Sequence, residues 1–523
     1  MSRLSEEVKL SRWAGMIGAF THPRVVTMLF LGFSAGIPLL LIFSSSSLWL
    51  REAGVERSTV TYFSWAALGY SFKFIWAPLV DQLPIPWLTS LLGRRRAWIL
   101  LAQLAVIVSI LLMASVDPQS SSESLTLMAI AAVMLGFSAA TQDIVIDAYR
   151  IESAEPKMQA LLSAAYIAGY RIAMLVSGAG SLFLAAGLGS NSETYSYSAW
   201  QYTYWIMAAT VLIGVVTTLI IDEPHQSAPR SVIHSGGDYV RFLLLFLVAA
   251  SGFVACFYWS GDLVAEVRIS LAEGLGNLYL AALLVESLRL LAGIGFAGVL
   301  VYGLIRTGFV RYTMVEQSYI APVHNFFQRY GLSLAWLLLA LVGLYRISDI
   351  VLGVISNVFY YDMGFSKAEI AWAVKTFGLV MTILGGFAGG LLSIRFGVIR
   401  ILFLGALLSA ATNLLFMTLA SSGHDLIWLY IVISADNLSA GIASAAFVAF
   451  LSSLTNIAFT AMQYAIFTSL MTLLPKVLGG YSGGMVDALG YSRFFLFTAL
   501  LGIPVLMLIA YIAKRRQFAF NLS

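Results

Sequence analysis

Residues 97–116 and 401–420 contain no Asp, Glu, Lys or Arg, and each run is as long as a membrane-crossing helix. About 20 mostly apolar residues in a helix cover the ~30 Å of bilayer hydrocarbon. Runs of this kind recur along the whole 523-residue chain. Fourteen spans are expected, at 25–49, 59–80, 97–116, 124–149, 158–187, 200–221, 238–259, 276–305, 334–361, 367–392, 401–420, 425–450, 457–482 and 493–513. Charged residues make up 11% of the chain, against about 25% in soluble proteins. Such a chain cannot cover a water-facing surface, which excludes a soluble enzyme, a nucleic-acid-binding protein and a disordered scaffold. The runs are also too long and continuous for the alternating strands of a β-barrel. The expected class is an all-α integral membrane protein whose main partner is the lipid bilayer.

The single cysteine, Cys256, excludes intrachain disulfides, and the five histidines fall in loops or at span ends. No metal site and no cofactor are expected. Residues 1–24 lack the apolar core of a secretory signal, so the first span is expected to be retained. Lysines and arginines in alternate short loops set the orientation. One side carries eighteen of them, including Arg94, Arg95, Arg96, Arg150 and Arg395, and the other side five. The rule therefore places both termini in the cytoplasm, which requires an even number of spans.

The chain also carries a weak duplication. Leu50 to Val60 and Tyr360 to Ile370 share one layout: a span end, a glycine, polar residues and a span start. Met158-Gln159 and Met462-Gln463 recur at a similar offset. Spans one to six thus repeat as nine to fourteen, and two parallel six-helix halves are the layout of major facilitator transporters. The expected organisation is a cytoplasmic segment 1–24, an N-terminal half 25–221, and a linker 222–333 holding two additional spans and an amphipathic stretch. A C-terminal half 334–513 and a cytoplasmic tail 514–523 follow.

Charges inside spans are the sharpest functional signal. Spans one, three, six, eleven and fourteen have none in their interiors, whereas Lys73, Asp143, Arg171, Arg346, Asp349, Lys375, Asp436 and Lys476 lie well inside the others. Each charge at a bilayer centre costs about 2.5–3.5 kcal/mol on insertion scales, so these eight must be paired or face a wet cavity. Five are cationic, which favours an anionic substrate. The three aspartates are candidate proton carriers.

Single residues allow more than one reading. Trp65, Lys73 and Trp76 share a helical face; they suit a sugar ring and a carboxylate, or else Lys73 is neutralised by Asp143 or Asp147. Asp147 is expected to join Arg150 or Arg94–Arg96 in an inner gate, while Gln142 and Asp143 sit deeper. Arg346 and Asp349 form either a self-satisfied pair or part of the coupling machinery. Trp372 with Lys375, and Asp436-Asn437, are the corresponding cavity candidates of the second half.

Several stretches resemble known families. Asp81 followed by Gly93-Arg94-Arg95-Arg96 resembles the loop signature between the second and third helices of the major facilitator superfamily. LGFSAGIPLLL (31–41), FKFIWAPLVD (72–81), SAATQDIVIDAYR (138–150), GYRIAMLVSG (169–178), YRISD (345–349) and MQYAIF (462–467) resemble the AmpG-type muropeptide permeases of Gram-negative bacteria. The resemblance implies proton-driven import of GlcNAc-1,6-anhydro-MurNAc and its peptides across the inner membrane for peptidoglycan recycling. That recycling supplies the signals for β-lactamase induction in some bacteria. It implies a monomeric transporter without enzymatic activity, whose partners are an anionic sugar-peptide and protons. It also adds Tyr170, Tyr345 and Gln463 to the pathway residues, beside Arg171. The gap from Asp81 to Gly93 is longer than usual in the family, and the second half has Ile394 where the signature's acid would stand. The alternatives are a facilitator for another anionic solute, akin to acetyl-CoA transporters, a membrane-embedded transferase and a channel. The loops carry no acidic or histidine cluster suited to the transferase.

Overall fold

The computed structural model describes residues 21–55, 70, 72–190, 194–224, 236–276, 278–479 and 482–514, and these are helical almost throughout. The N-terminal half contains α1 (Pro23–Leu40), α2 (Ala77–Gln82), α3 (Arg94–Ala114), α4 (Ser122–Ser153), α5 (Gln159–Leu175) and α6 (Tyr197–Ile220). Two further long helices are α7 (Gly236–Trp259) and α8 (Leu278–Arg306). The C-terminal half contains α9 (Ile347–Asp362), α10 (Gly378–Phe396), α11 (Val398–Ser422), α12 (Leu426–Leu454), α13 (Thr460–Gly479) and α14 (Tyr491–Leu500). Gly502–Lys514 continues the line of α14.

Among the described residues, eleven helices are long and apolar enough to cross a membrane, with two shorter apolar ones at Leu291–Arg306 and Ile457–Thr472. The shorter two fall in the eighth and thirteenth expected spans. Much of the second expected span, with Trp65, lies outside the described residues. The stretch before the ninth span is helical and breaks at Gly331, whose φ of 72° no helix accommodates.

The chain divides into two units. One holds the described parts of 1–77, 84–227 and 326–523; the other consists of 78–83 and 228–325. Within the second unit, Arg289 donates to the Phe257 carbonyl (2.5 Å) and to Ser260 Oγ (3.1 Å) and lies over the Phe257 ring. The side chain of Glu286, three residues before Arg289 on α8, lies outside the described residues. Arg311 pairs with Asp238 at 2.6 Å. Asp81 is buried near the end of α2.

Close helix approach builds the first unit. A Cβ on Gly32 would lie 2.1 Å from the Tyr166 carbonyl oxygen, and one on Gly169 would lie 1.9 Å from that of Leu29, so α1 and α5 touch backbone to backbone. Gly385 against Leu438 and Gly441 against Thr382 do the same for α10 and α12. Small residues at helix crossings allow this dense packing, which replaces a hydrophobic driving force inside lipid. Each half also has a buried polar pin. Gln142 Nε2 donates to Ser34 Oγ (3.0 Å) and Thr218 Oγ1 to Gln103 Oε1 (2.9 Å). In the second half Asn413 Nδ2 donates to Ser348 Oγ (2.8 Å), which donates to the Thr498 carbonyl (2.7 Å). The pins tie α4 to α1 and the charge-poor helices α3 and α6 to each other, and in the second half they tie α11 and α14 to α9.

Candidate functional site

The two halves meet where α4 and α12 end and α5 and α13 begin. There, a Cβ on Gly390 of α10 would sit 3.2 Å from Leu161 Cα of α5. Arg150, in the last turn of α4, is fully buried at this junction. Its Nη1 donates to Gln159 Oε1 (3.0 Å), to Ser163 Oγ (3.2 Å) and across the halves to Ser452 Oγ of α12 (2.8 Å). Its Nη2 faces Asp147 Oδ1 at 3.3 Å, and the guanidinium lies 5.2 Å from the ring centre of Tyr464 on α13. One arginine therefore holds a carboxylate on its own half and a hydroxyl and ring on the other. The planar five-donor guanidinium suits this, since a lysine offers no comparable fork.

Lys73 stands on a tight turn, Lys73–Ile75, just before α2, and is only 6% exposed. Its Nζ lies 3.8 Å from Asp147 Oδ2, so Asp147 is shared between Lys73 and Arg150. Asp143, one turn earlier on α4, is within electrostatic reach of Lys73 and accepts a hydrogen bond from Tyr166 (3.0 Å). Trp76 donates to Thr141 Oγ1 (3.0 Å) and packs on Phe137, which fixes the turn against α4. Nearby, Arg95 binds Glu152 bidentately (2.5 and 3.0 Å), with Arg94 at 3.8 Å from the same carboxylate. Glu223 accepts from the backbone N–H groups of Arg95 (2.8 Å) and Arg96 (3.0 Å), capping α3. Arg96 donates to the Thr218 and Leu219 carbonyls at the end of α6. Gly93 is required here twice over: its φ is +87°, and a Cβ would meet Glu223 at 2.5 Å.

A second cluster lies farther along the helices. Arg171 is eight residues beyond Ser163 on α5, about 12 Å along the axis. It is exposed to solvent although protein surrounds it on most sides, as expected of a cavity-lining side chain. It is within electrostatic reach of Tyr170 and, in the other half, of Arg346 and Asp349. Arg346 pairs with Asp349 and donates to Ser444 Oγ (2.9 Å). Asp436 accepts from Thr412 Oγ1 (3.3 Å) and is within electrostatic reach of Asp349 and Arg346.

Four expected pathway residues make contacts within the protein. Gln142 makes the Ser34 pin. Tyr345 donates to the Leu402 carbonyl (3.1 Å) and stacks on Phe447. Asn437 accepts from Thr382 and donates to the Ile433 carbonyl, while Gln463 accepts from the Asn456 N–H (2.7 Å). The side chains of Lys375 and Lys476 lie outside the described residues. Sequence reasoning missed Tyr166, Glu152, Glu223, Ser452 and Tyr464. Glu152 alone had a usable signal, an acid in the same basic stretch as Arg150.

Ahead of the apolar helix that runs Trp372–Phe396, later than the expected start at 367, Glu369 Oε2 accepts from the Ser366 N–H (2.7 Å) and meets His424 Nε2 (3.1 Å). These contacts, the backbone one foremost, hold its carboxyl below the usual carboxylate range. Burial pushes the Tyr195 hydroxyl up.

Comparison with known proteins places this geometry. The family model described as Major Facilitator Superfamily matches residues 26–344. The chain is 28% identical over 491 residues to the anhydromuropeptide permease of Escherichia coli K12, covering 94% of this chain and 80% of that protein. It is 28% identical over 496 residues to the putative transporter AmpG 4 of Rickettsia felis, covering 95% and 98%. An uncharacterized protein of Haemophilus influenzae is 30% identical over 505 residues, covering 95% and 96%. Among solved structures, a variant of the E. coli fucose:proton symporter FucP superposes with a TM-score of 0.58 at 13% identity, covering 94% and 98%. The proton:xylose symporter XylE gives 0.56 at 12% identity, covering 95% and 96%. At such identities these two likenesses speak for the fold.

Proposed function

The chain belongs to the Major Facilitator Superfamily, and on that premise we propose that it imports GlcNAc-1,6-anhydro-MurNAc and its peptides, coupled to protons, by alternating access. It is a multi-pass membrane transporter, not an enzyme. The observation that carries the substrate class is similarity to a named anhydromuropeptide permease over 94% of the chain. The interior supports it: Arg171 offers a cation to an anionic substrate, and Tyr166 and Tyr170 offer rings beside it. In this reading the protein sits as a monomer in the bacterial inner membrane with both termini in the cytoplasm and needs no cofactor. The halves 25–221 and 334–513 rock about the cavity, and the Arg150 junction is the cytoplasmic gate. Asp143 and Asp436 are the proton candidates, since the first is buried and the second half-buried among polar groups, and Asp349 is occupied by Arg346.

The mechanism follows from what each contact must do. With the junction closed, a substrate entering from the periplasm reaches Arg171 but not the cytoplasm. Opening requires Arg150 to release Ser452 and Tyr464, while Asp147 stays beside Arg150 and Lys73 on the N-terminal half. Arg150 therefore keeps a carboxylate partner when the gate breaks. The test is uptake of labelled GlcNAc-anhydro-MurNAc into right-side-out and inverted vesicles, with and without a pH gradient. Gradient-driven accumulation in the right-side-out vesicles is expected; uptake indifferent to the gradient would remove the coupling. Failure to transport the disaccharide at all would remove the substrate.

A further inference from the structure

Resting on that reading of the substrate, we infer that Arg171 is the residue that selects for it, by holding a substrate carboxylate, and that Lys73 plays no part in that recognition. The inference follows from how each interior cation is satisfied. Lys73 faces Asp147 at 3.8 Å, is 6% exposed and serves the junction between the halves. Arg150 is fully buried and engaged on three sides. Arg346 is taken up by Asp349 and Ser444. Arg171 differs on both counts: it is open to solvent, and among the described residues no acceptor lies within hydrogen-bond distance of its guanidinium.

An interior guanidinium left without a carboxylate is costly unless water or a ligand occupies it. Its fork matches the two oxygens of a carboxylate, and one guanidinium suits one negative charge better than a phosphate dianion, which calls for several donors. Tyr170, its neighbour on α5, and Tyr166 one turn earlier stand 6.1 Å apart ring to ring and offer faces to a sugar. The occupant assigned is therefore an anhydro-sugar disaccharide bound through a free lactyl carboxylate or, in peptide-bearing forms, through a carboxylate of the peptide.

The experiment uses the full-length chain in detergent and in proteoliposomes. Two probes are compared: the anhydro-disaccharide with its lactyl group as the free acid, and the same compound as the neutral methylamide. The unaltered protein is expected to bind the acid more tightly than the amide by at least about tenfold. Arg171→Gln should weaken the acid by about 30- to 100-fold, leave the amide nearly unchanged and so erase the preference. Arg171→Lys should restore part of it, because the charge returns without the fork. Equal affinity for acid and amide in the unaltered protein overturns the inference without recourse to any variant and leaves the muropeptide reading standing. Parallel loss of both probes in Arg171→Gln also overturns it, since the arginine would then be structural. Binding of neither probe by the unaltered protein overturns the functional reading and this inference with it.

Discussion

At the Arg150 junction every described charge is answered by protein: Arg150 and Lys73 share Asp147, Asp143 takes the Tyr166 hydroxyl, and Glu152 takes Arg95 and Arg94. Around Arg171 the same kinds of residue are arranged differently. Arg346 closes on Asp349 three residues later, and Arg171 is left exposed. Both regions mix guanidinium groups and carboxylates, so composition cannot tell them apart. What separates them is whether the cation has a partner in the protein. A partnered one makes a joint, and in the proposed reading an unpartnered one makes the site.

The largest effect is expected at the joint. Arg150→Ala removes contacts to five residues on two halves and leaves Asp147 with Lys73 alone. Breaking a buried pair by deleting one partner costs about 3–5 kcal/mol. Transport should fall to background, and the thermal midpoint of the purified protein should drop by several degrees. Arg150→Lys should recover the charge with Asp147 but not the fork, giving an intermediate midpoint and little transport. Near-normal transport in Arg150→Ala would dissolve the distinction between joint and site.

Lys73→Ala should have a smaller effect of a telling kind. Sequence alone left this lysine between binding substrate and neutralising an aspartate, and its position beside Asp147 favours the second. At 3.8 Å the pair is loose and Arg150 still serves Asp147, so a loss of about 1–2 kcal/mol is expected. The measurement is a thermal-midpoint cycle of Lys73→Ala, Asp147→Asn and the double variant. The double variant should lose less than the sum of the singles, and the acid-over-amide preference should survive in Lys73→Ala. If that preference vanishes, Lys73 belongs to the site and the comparison must be redrawn.

The split between legible and illegible features has a physical cause. Transfer of charge into lipid is so costly that a list of interior ions can be read from the sequence, and Lys73, Asp143, Arg171, Arg346, Asp349 and Asp436 were all found that way. The superfamily fold was legible for a similar reason, because two sets of six long apolar runs leave few alternatives. Partnership was not legible. Gln142 and Asp143 are adjacent, yet one step of a helix turns the amide toward Ser34 and the carboxylate toward Tyr166. Arg150 and Ser452 meet across 302 positions of sequence, and nothing in the local pattern around either residue points to the other. The α1–α5 contact depends on Gly32 and Gly169 together, each of which reads alone as an ordinary small residue.

The smallest effect is expected on the short helix Lys367–Ile370 ahead of α10, where Glu369 meets the Ser366 N–H and His424. This carboxylate is neither joint nor site, only an exposed charge with good hydrogen bonds, and so gives a baseline for the other two. Its folded-state pKa lies below the ordinary value. The sign of the pH dependence follows: the contribution is complete above the ordinary glutamate value of about 4.3 and is lost as pH falls through the lowered folded-state value. Glu369→Gln should therefore lower the thermal midpoint slightly at neutral pH, and the gap from the unaltered protein should close as the buffer is taken below about pH 4. A gap that stays constant into acid would mean that the carboxylate's charge contributes nothing and that only its hydrogen-bonding shape matters. Transport at neutral pH should be unaffected by Glu369→Gln, because neither the Arg150 junction nor the Arg171 cavity draws on this residue.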